Sequence, residues 1–192
     1  MIIFGTGGHA KVLASIVGGR LRGCFDDFAH VSHFNGVEVK PYSEQEWAGK
    51  KVVIAIGANN IRKQISTVVT HQCGVIKAAS AIVDNTVTIK AGAQVLQGAI
   101  IQAQASIGFH TIINTSASVD HDCTIGDFCH IAPNATLCGN VKVGEGTLIG
   151  AGAVVIPGIK IGKWCTVGAG SVVIKDIPDN TKVAGNPANN IK

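Results

Sequence analysis

A chain of 192 residues carrying a formal net charge of +4 is long enough for one or two domains with a real hydrophobic core. Apolar residues make up 46% of it, aromatic ones only 5%, and 24 positions are glycine, a balance that favours stacked small side chains over a bulky aromatic centre. The lysines are too scattered for a nucleic-acid patch, and no apolar run reaches membrane-spanning length.

Ile2–Phe4 reads as a short buried strand that runs straight into Gly5-Thr6-Gly7-Gly8-His9-Ala10. That is a strand start and not a signal peptide, so a cytoplasmic protein is expected. A helix from about His9 to Val17 follows, then a strand from Leu21 to Phe25 ending in Asp26-Asp27. Residues 28–50 are irregular, with a strand at Val37–Val39 and one helical turn at Tyr42–Trp47. Lys51–Ile56 is the clearest strand; Gly57-Ala58-Asn59-Asn60 then caps a helix from Ile61 to about His71, and Gly74–Ile76 closes the unit. Strand, glycine turn, helix and strand mark the start of a doubly wound, Rossmann-like sheet over residues 1–76.

Gly5, Gly7 and Ala10 fit the spacing G-x-G-x-x-A, with the acidic pair Asp26-Asp27 about 20 residues on. Some 75 residues make only half of a dinucleotide fold, so bound NAD is discounted. What survives is a glycine turn at a helix N-terminus that can cradle phosphate, with carboxylates placed to bond hydroxyls or a base edge. A nucleotide-sugar site fits that better than a dinucleotide.

From residue 77 to 192 the pattern changes. Starting at Val83 and stepping by six, the chain places an aliphatic residue at sixteen consecutive positions, ending at Val167 and Val173. Two residues before each stands a small or modest one, and Gly, Asp or Asn often follows it, where the chain is expected to turn a corner. Hexads of this kind are the signature of a parallel β-helix, three to a triangular coil and about five coils in all. Positions i and i−2 point inward, i−1 outward. The outward residues form three faces: Ile82, Ile100, Ser118, Thr136, Val154, Val172; Gln94, Ile112, His130, Leu148, Thr166; and Thr88, Ser106, Thr124, Lys142, Lys160. Two partly apolar faces and one polar face suit a trimer. Of the six cysteines, Cys123, Cys129 and Cys165 fall in the inward column and read as packed free thiols; no CxxC pair occurs. The tail Val183-Ala184-Gly185-Asn186-Pro187-Ala188 covers the open end of the last coil.

One polar cluster interrupts the coil: Asn114-Thr115-Ser116-Ala117-Ser118-Val119-Asp120-His121-Asp122. His121 stands on a corner between two carboxylates. A carboxylate on one ring nitrogen leaves the other as a base near neutral pH. His110 reads as a plain surface histidine. His110, His121 and His130 are spaced eleven and nine apart and share no column, so no metal site is expected.

Taken together, GTGGHAKV, FDD, IAIGANNIRKQI, the run from NTSASVDHDC to IGAGAVV, and VAGNPA resemble the bacterial sugar acetyltransferases of the PglD/NeuD type, members of the hexapeptide-repeat acyltransferases. The resemblance implies a left-handed coil, a homotrimer and acetyl-CoA-dependent transfer to the 4-amino group of a nucleotide-activated sugar, expected to be UDP-linked. O-acetylation of sialic acid is the alternative, and a non-catalytic nucleotide-sensing scaffold lies in another class. It implies His121 as general base with Asp122 raising its basicity; Gly7, Gly8, His9, Asp26, Asp27, Gly57 and Asn60 on the nucleotide sugar; and His130, Ala151 and Ala169 on acetyl-CoA. Asn60 stands where related sequences carry an acid, and Asn189 where a basic residue is common.

Overall fold

The computed structural model describes residues 1–191. The front unit is a five-stranded sheet in the order β3-β4-β2-β1-β5, made of β1 (Ile2–Phe4), β2 (Gly23–Phe25), β3 (His33–Phe34), β4 (Val37–Lys40) and β5 (Val52–Ile54). Only β3 is antiparallel. Helix α1 (Gly8–Val17) buries Ala10, Leu13, Ala14 and Val17, the spacing of one helical face. Gly18, at φ +55°, closes it by donating to the Ala14 carbonyl. Helix α2 (Asn59–Val68) lies on the other face of the sheet, where Ile65 joins Ile2, Phe4, Phe25 and Ile54.

The expected helical turn at Tyr42–Trp47 does not form. Side-chain contacts pull that segment onto the sheet instead. The Tyr42 N–H donates to Asp27 Oδ1, its hydroxyl meets Thr70 and His71, and the Trp47 ring packs against Phe25. Strand and helix ends also shift: β2 begins at Gly23, and α2 starts at Asn59 and ends at Val68.

β6 (Ile76–Lys77) enters the coil, and sixteen two-residue strands, β7 (Ile82–Val83) to β22 (Val172–Val173), follow at six-residue spacing. They stack into three parallel sheets whose outward residues are the three sets expected from the sequence, with register steps of 18 such as Ser118 on Ile100 and His130 on Ile112. The fold is a Rossmann-like unit followed by a left-handed parallel β-helix. Its interior is a single column of aliphatic and small side chains, including buried Cys123, Cys129 and Cys165. All six cysteines are free. Among the described residues no helix is long and apolar enough to cross a membrane.

The corners differ from the expectation in one respect. The residue with left-handed backbone at most corners is the third after the inward aliphatic, not the first: Ser116, Asp122, Asn134 and Asn140 occupy it at φ +55° to +60°, and Gly152 at +66°. The glycines directly after the aliphatic answer a different constraint. A Cβ on Gly144 would lie 2.6 Å from Gly162 C, and one on Gly150 2.5 Å from Ala169 N. The next coil passes too close for a side chain.

Two sets of glycine, two reasons, and two different mutational costs follow. Gly144→Ala should cost about 1–3 kcal/mol by overpacking. Gly152→Asn, matching its register neighbour Asn134 one coil below, should stay within about 0.5 kcal/mol. Urea unfolding of the two variants measures the difference.

Candidate acetyl-transfer site

The front unit is docked on the coil by its own side chains. Ile112, on the second face, and Leu96, just after the inward Val95, pack in one apolar cluster with Leu13, Ala14 and Val17 of α1. That apolar face is covered from within the chain, so the apolar stripe left uncovered is the first face, where Ile82 is 65% exposed. The junction is fixed by Arg62 of α2, whose side chain is fully buried. Its Nε donates to the His110 carbonyl; its Nη1 to the carbonyls of Ile56 and Gly57; its Nη2 to Asn59 Oδ1 and the carbonyls of Phe128 and Cys129. Nothing in the sequence singled out Arg62, because all but one of its partners are main-chain carbonyls, up to 67 residues away.

The nucleotide-sugar residues expected from the sequence largely converge. Gly7 caps α1 with extended backbone, and no side chain caps the helix. The first-turn amides beside Gly7 and Gly8 are therefore open to an anion or acceptor. His9 follows, half-buried, with Nε2 2.7 Å from Gln94 Oε1. Asp26 is spent largely on the protein: Oδ2 accepts from the Thr6 amide and hydroxyl, and Oδ1 from the Phe28 amide, which ties the glycine loop to the end of β2. Asp27 accepts from Tyr42 N through one oxygen and is exposed. Gly57 and Asn60 line a cleft of about 260 Å³ with Asn59, His130, Leu148, Trp164 and Thr166. Within the 57–60 segment Ala58 is the N-cap, with no side-chain cap bond, while Asn59 already opens the helix and donates to the Gly146 carbonyl.

His130 meets this group, its ring centroid 6.5 Å from that of His9. Asn114 Oδ1 accepts from the Thr115 amide, so its Nδ2 donates to His130 Nε2 at 2.9 Å and the His130 proton sits on Nδ1. Ala151 and Ala169 stand on the corner between the second and first faces, one and two coils above that level. With Gly152 and Gly170 they form an exposed strip lacking any side chain larger than methyl. Among the described residues the peptide N–H groups of Ala151 and Ala169 donate to no protein atom, whereas those of Gly152 and Gly170 donate to the Pro133 and Ala151 carbonyls.

His121 lies elsewhere. It is on the corner between the first and third faces, exposed, with Nδ1 2.8 Å from Asp122 Oδ2 and its amide donating to Asp120 Oδ1. Asp122 is thus the carboxylate that orients the ring, and Asp120 shapes the turn. The ring lies against Gly139 of the next coil, where a Cβ would come within 2.7 Å of Nε2. Asp120, His121, Gly139, Asn140 and Pro157 line an open cleft of about 510 Å³ together with Cys138, a thiol the sequence reading did not place there. One protomer therefore does not bring His121 to His130, His9 or the alanine strip.

Electrostatics divide the histidines. The bond to Asp122 raises the His121 pKa, and the Asp120 charge adds to it. Burial lowers His9, with Arg62 adding to it against the Gln94 bond. Burial pushes His130 down to about 4, with Arg62 and His9 contributing. His110 corrects an expectation. It is buried, not a surface residue, its ring stacked on Phe128 at 5.2 Å with Nδ1 unpartnered, and its pKa is lowered by burial and then Arg62.

Residues 1–69 match the family described as PglD N-terminal domain, and residues 104–139 and 140–175 match the bacterial transferase hexapeptide repeats. A variant of perosamine N-acetyltransferase from Caulobacter crescentus, solved with CoA and GDP-perosamine, is 34% identical over 100% of this chain and 96% of that one, with a TM-score of 0.94. The chain belongs to the PglD-like sugar N-acetyltransferases. The acetyltransferase domain of PglB from Neisseria gonorrhoeae is 34% identical, with a TM-score of 0.90 and coverage of 99% and 98%. WeeI from Acinetobacter baumannii is 27% identical at the same TM-score and coverage. No curated protein matches the chain. Membership makes it an acyltransferase of the hexapeptide-repeat class.

His9, His110 and His130 bind protons less readily in the native state than the ordinary 6.5. The unfolded chain takes up more protons below that value, so their stabilising contribution is complete above about pH 6.5 and is lost as pH falls toward about 4. Urea midpoints across that range should fall with pH, and His110→Phe should flatten the slope.

Proposed function

We propose that the chain is an acetyl-CoA-dependent N-acetyltransferase acting on the 4-amino group of a nucleotide-linked sugar. In this reading residues 1–76 carry the nucleotide and residues 77–192 carry the transfer step. The observation that supports it most is the His121–Asp122 pair. Asp122 holds the Nδ1 proton, which leaves the Nε2 lone pair as a base in a shallow cleft. The sugar amine attacks the thioester carbonyl while His121 takes a proton from it. The C–S bond then breaks, the amide forms, and the proton passes to the departing CoA thiolate. Unpaired amides of the alanine strip offer donors for the cofactor's pantetheine arm or the thioester oxygen.

The same geometry supports a homotrimer. His121 and the Ala151–Ala169 strip sit on the two edges that border the first face, whose outward stripe is partly apolar and not covered by the front unit. Packing three copies through that face brings the His121 edge of one to the alanine edge of the next. The half-buried His130 marks the base of the strip, the place we assign to the acetyl end of the cofactor. Six free thiols support a reducing, cytoplasmic setting. A UDP-linked sugar remains the expected acceptor. The Caulobacter relative was solved with GDP-perosamine, so the nucleotide is left to assay.

The experiment is turnover with acetyl-CoA against UDP-, GDP- and dTDP-linked 4-amino sugars and sialic acid, read as CoA release and product mass. An alkali-stable acetyl product on an amino sugar is expected; acetylation of hydroxyls alone would overturn the reading. His121→Ala should keep its fold and lose about 10²–10⁴ in kcat. Cys138→Ala should retain turnover, because the nucleophile is the sugar amine; a loss as deep as that of His121→Ala would point to an acetyl-thiol intermediate. Light scattering at micromolar concentration should give three times the 19.7 kDa chain mass.

A further inference from the structure

Gln94 is a polar residue in the covered stretch of the second face. It is the outward residue of β9 (Gln94–Val95) and, like Ile112 directly above it in the stack, is fully buried. A buried primary amide is costly unless both of its ends are bonded. Here the bonds also fix its orientation. Its Nε2 donates to the Ile54 carbonyl at 2.9 Å, and a carbonyl can only accept. The other end of the amide, Oε1, therefore faces His9, and the 2.7 Å contact requires a proton on His9 Nε2. In the neutral ring that leaves Nδ1 as a lone pair. Among the described residues Nδ1 meets no protein donor, and it is not sealed among the buried unpartnered atoms.

We propose that Gln94 is a positioning residue that locks His9 as the Nε2–H tautomer, so that Nδ1 accepts a hydrogen bond from an O–H or N–H of the sugar. The proposal rests on the nucleotide-sugar reading of the α1 loop and narrows it. At this loop the amides of the first helical turn serve the anionic diphosphate, while His9 reads a neutral donor beside it. The neighbouring His130 is set the opposite way, with its proton on Nδ1 because Asn114 donates to its Nε2. Two neutral rings 6.5 Å apart thus hold opposite tautomers, each imposed by an amide side chain. A sugar carries many groups that both donate and accept, and a fixed acceptor at His9 discriminates among their orientations.

The test uses full-length protein with ¹⁵N-labelled histidine, His9 being assigned through His9→Gln. The imidazole spectrum at neutral pH should show His9 with its proton on Nε2. Gln94→Met should give a mixture of tautomers. Gln94→Glu, which places a carboxylate against Nε2, should give a doubly protonated ring. With the best acceptor from the panel above, Gln94→Glu should raise KM for the nucleotide sugar about tenfold or more and lower kcat far less, since the acceptor nitrogen has become a donor. KM for acetyl-CoA should move little. A wild-type ring protonated on Nδ1 overturns the lock. A cationic His9 that leaves the sugar KM unchanged overturns the contact. If no nucleotide sugar is acetylated by the wild type, the functional reading and the sugar contact fall together; the spectrum still decides whether Gln94 sets the tautomer.

Discussion

A single guanidinium holds the two halves of the molecule in register. Arg62 enters a fully buried position with no carboxylate partner among the described residues, and carbonyl oxygens take over the role of water. Arginine is suited to this because its donors form a rigid planar fork that can serve several main-chain acceptors at once. Burial lowers its pKa to about 10, which still leaves it charged at neutral pH. Carbonyls of the β5–α2 loop and of the coil converge on the same group, so neither half can shift without stranding a charge. The loop carrying Gly57 is thereby fixed over His130, and the cleft between them is a property of the junction more than of either part.

That same charge sorts the histidines. His9, His110 and His130 all lie near enough to Arg62 to feel it, and all are held neutral by burial first and by that cation second. His121 escapes because it stands on the far edge, in water and beside two carboxylates. One residue type therefore falls into two opposite states: buried rings held neutral near the junction, and an exposed ring that binds its proton more tightly away from it.

What could be read from the sequence was whatever repeats locally. An aliphatic every six residues reports its own burial, so the coil, its three faces and the outward corner position of His121 were legible before any coordinates. What escaped depends on distant contacts. His110 looks exposed by its corner position, yet Gly92 below leaves room for the ring and Phe128 above stacks on it. Arg62 and Gln94 are ordinary polar residues until the front unit closes over them. Tyr42 and Trp47 carry no helical signal strong enough to resist the aromatic cluster around Phe25. The turn-forming residue was misplaced by two positions because glycine serves two constraints in each hexad, and composition alone does not separate close coil stacking from a left-handed backbone.

The closing turns of the coil also carry a consequence. Each of the three stacked sheets ends beneath a different piece of the tail: Ile177 bridges Ile161, Gly185 and Ala188 exchange main-chain bonds with Val172, and β24 (Asn189–Asn190) runs antiparallel along β23 (Lys182–Ala184). A solenoid is a polymer of its own repeat, and an unfinished terminus invites another copy to continue it. Here the terminus is stoppered by one antiparallel strand and by irregular chain, so growth along the axis is blocked.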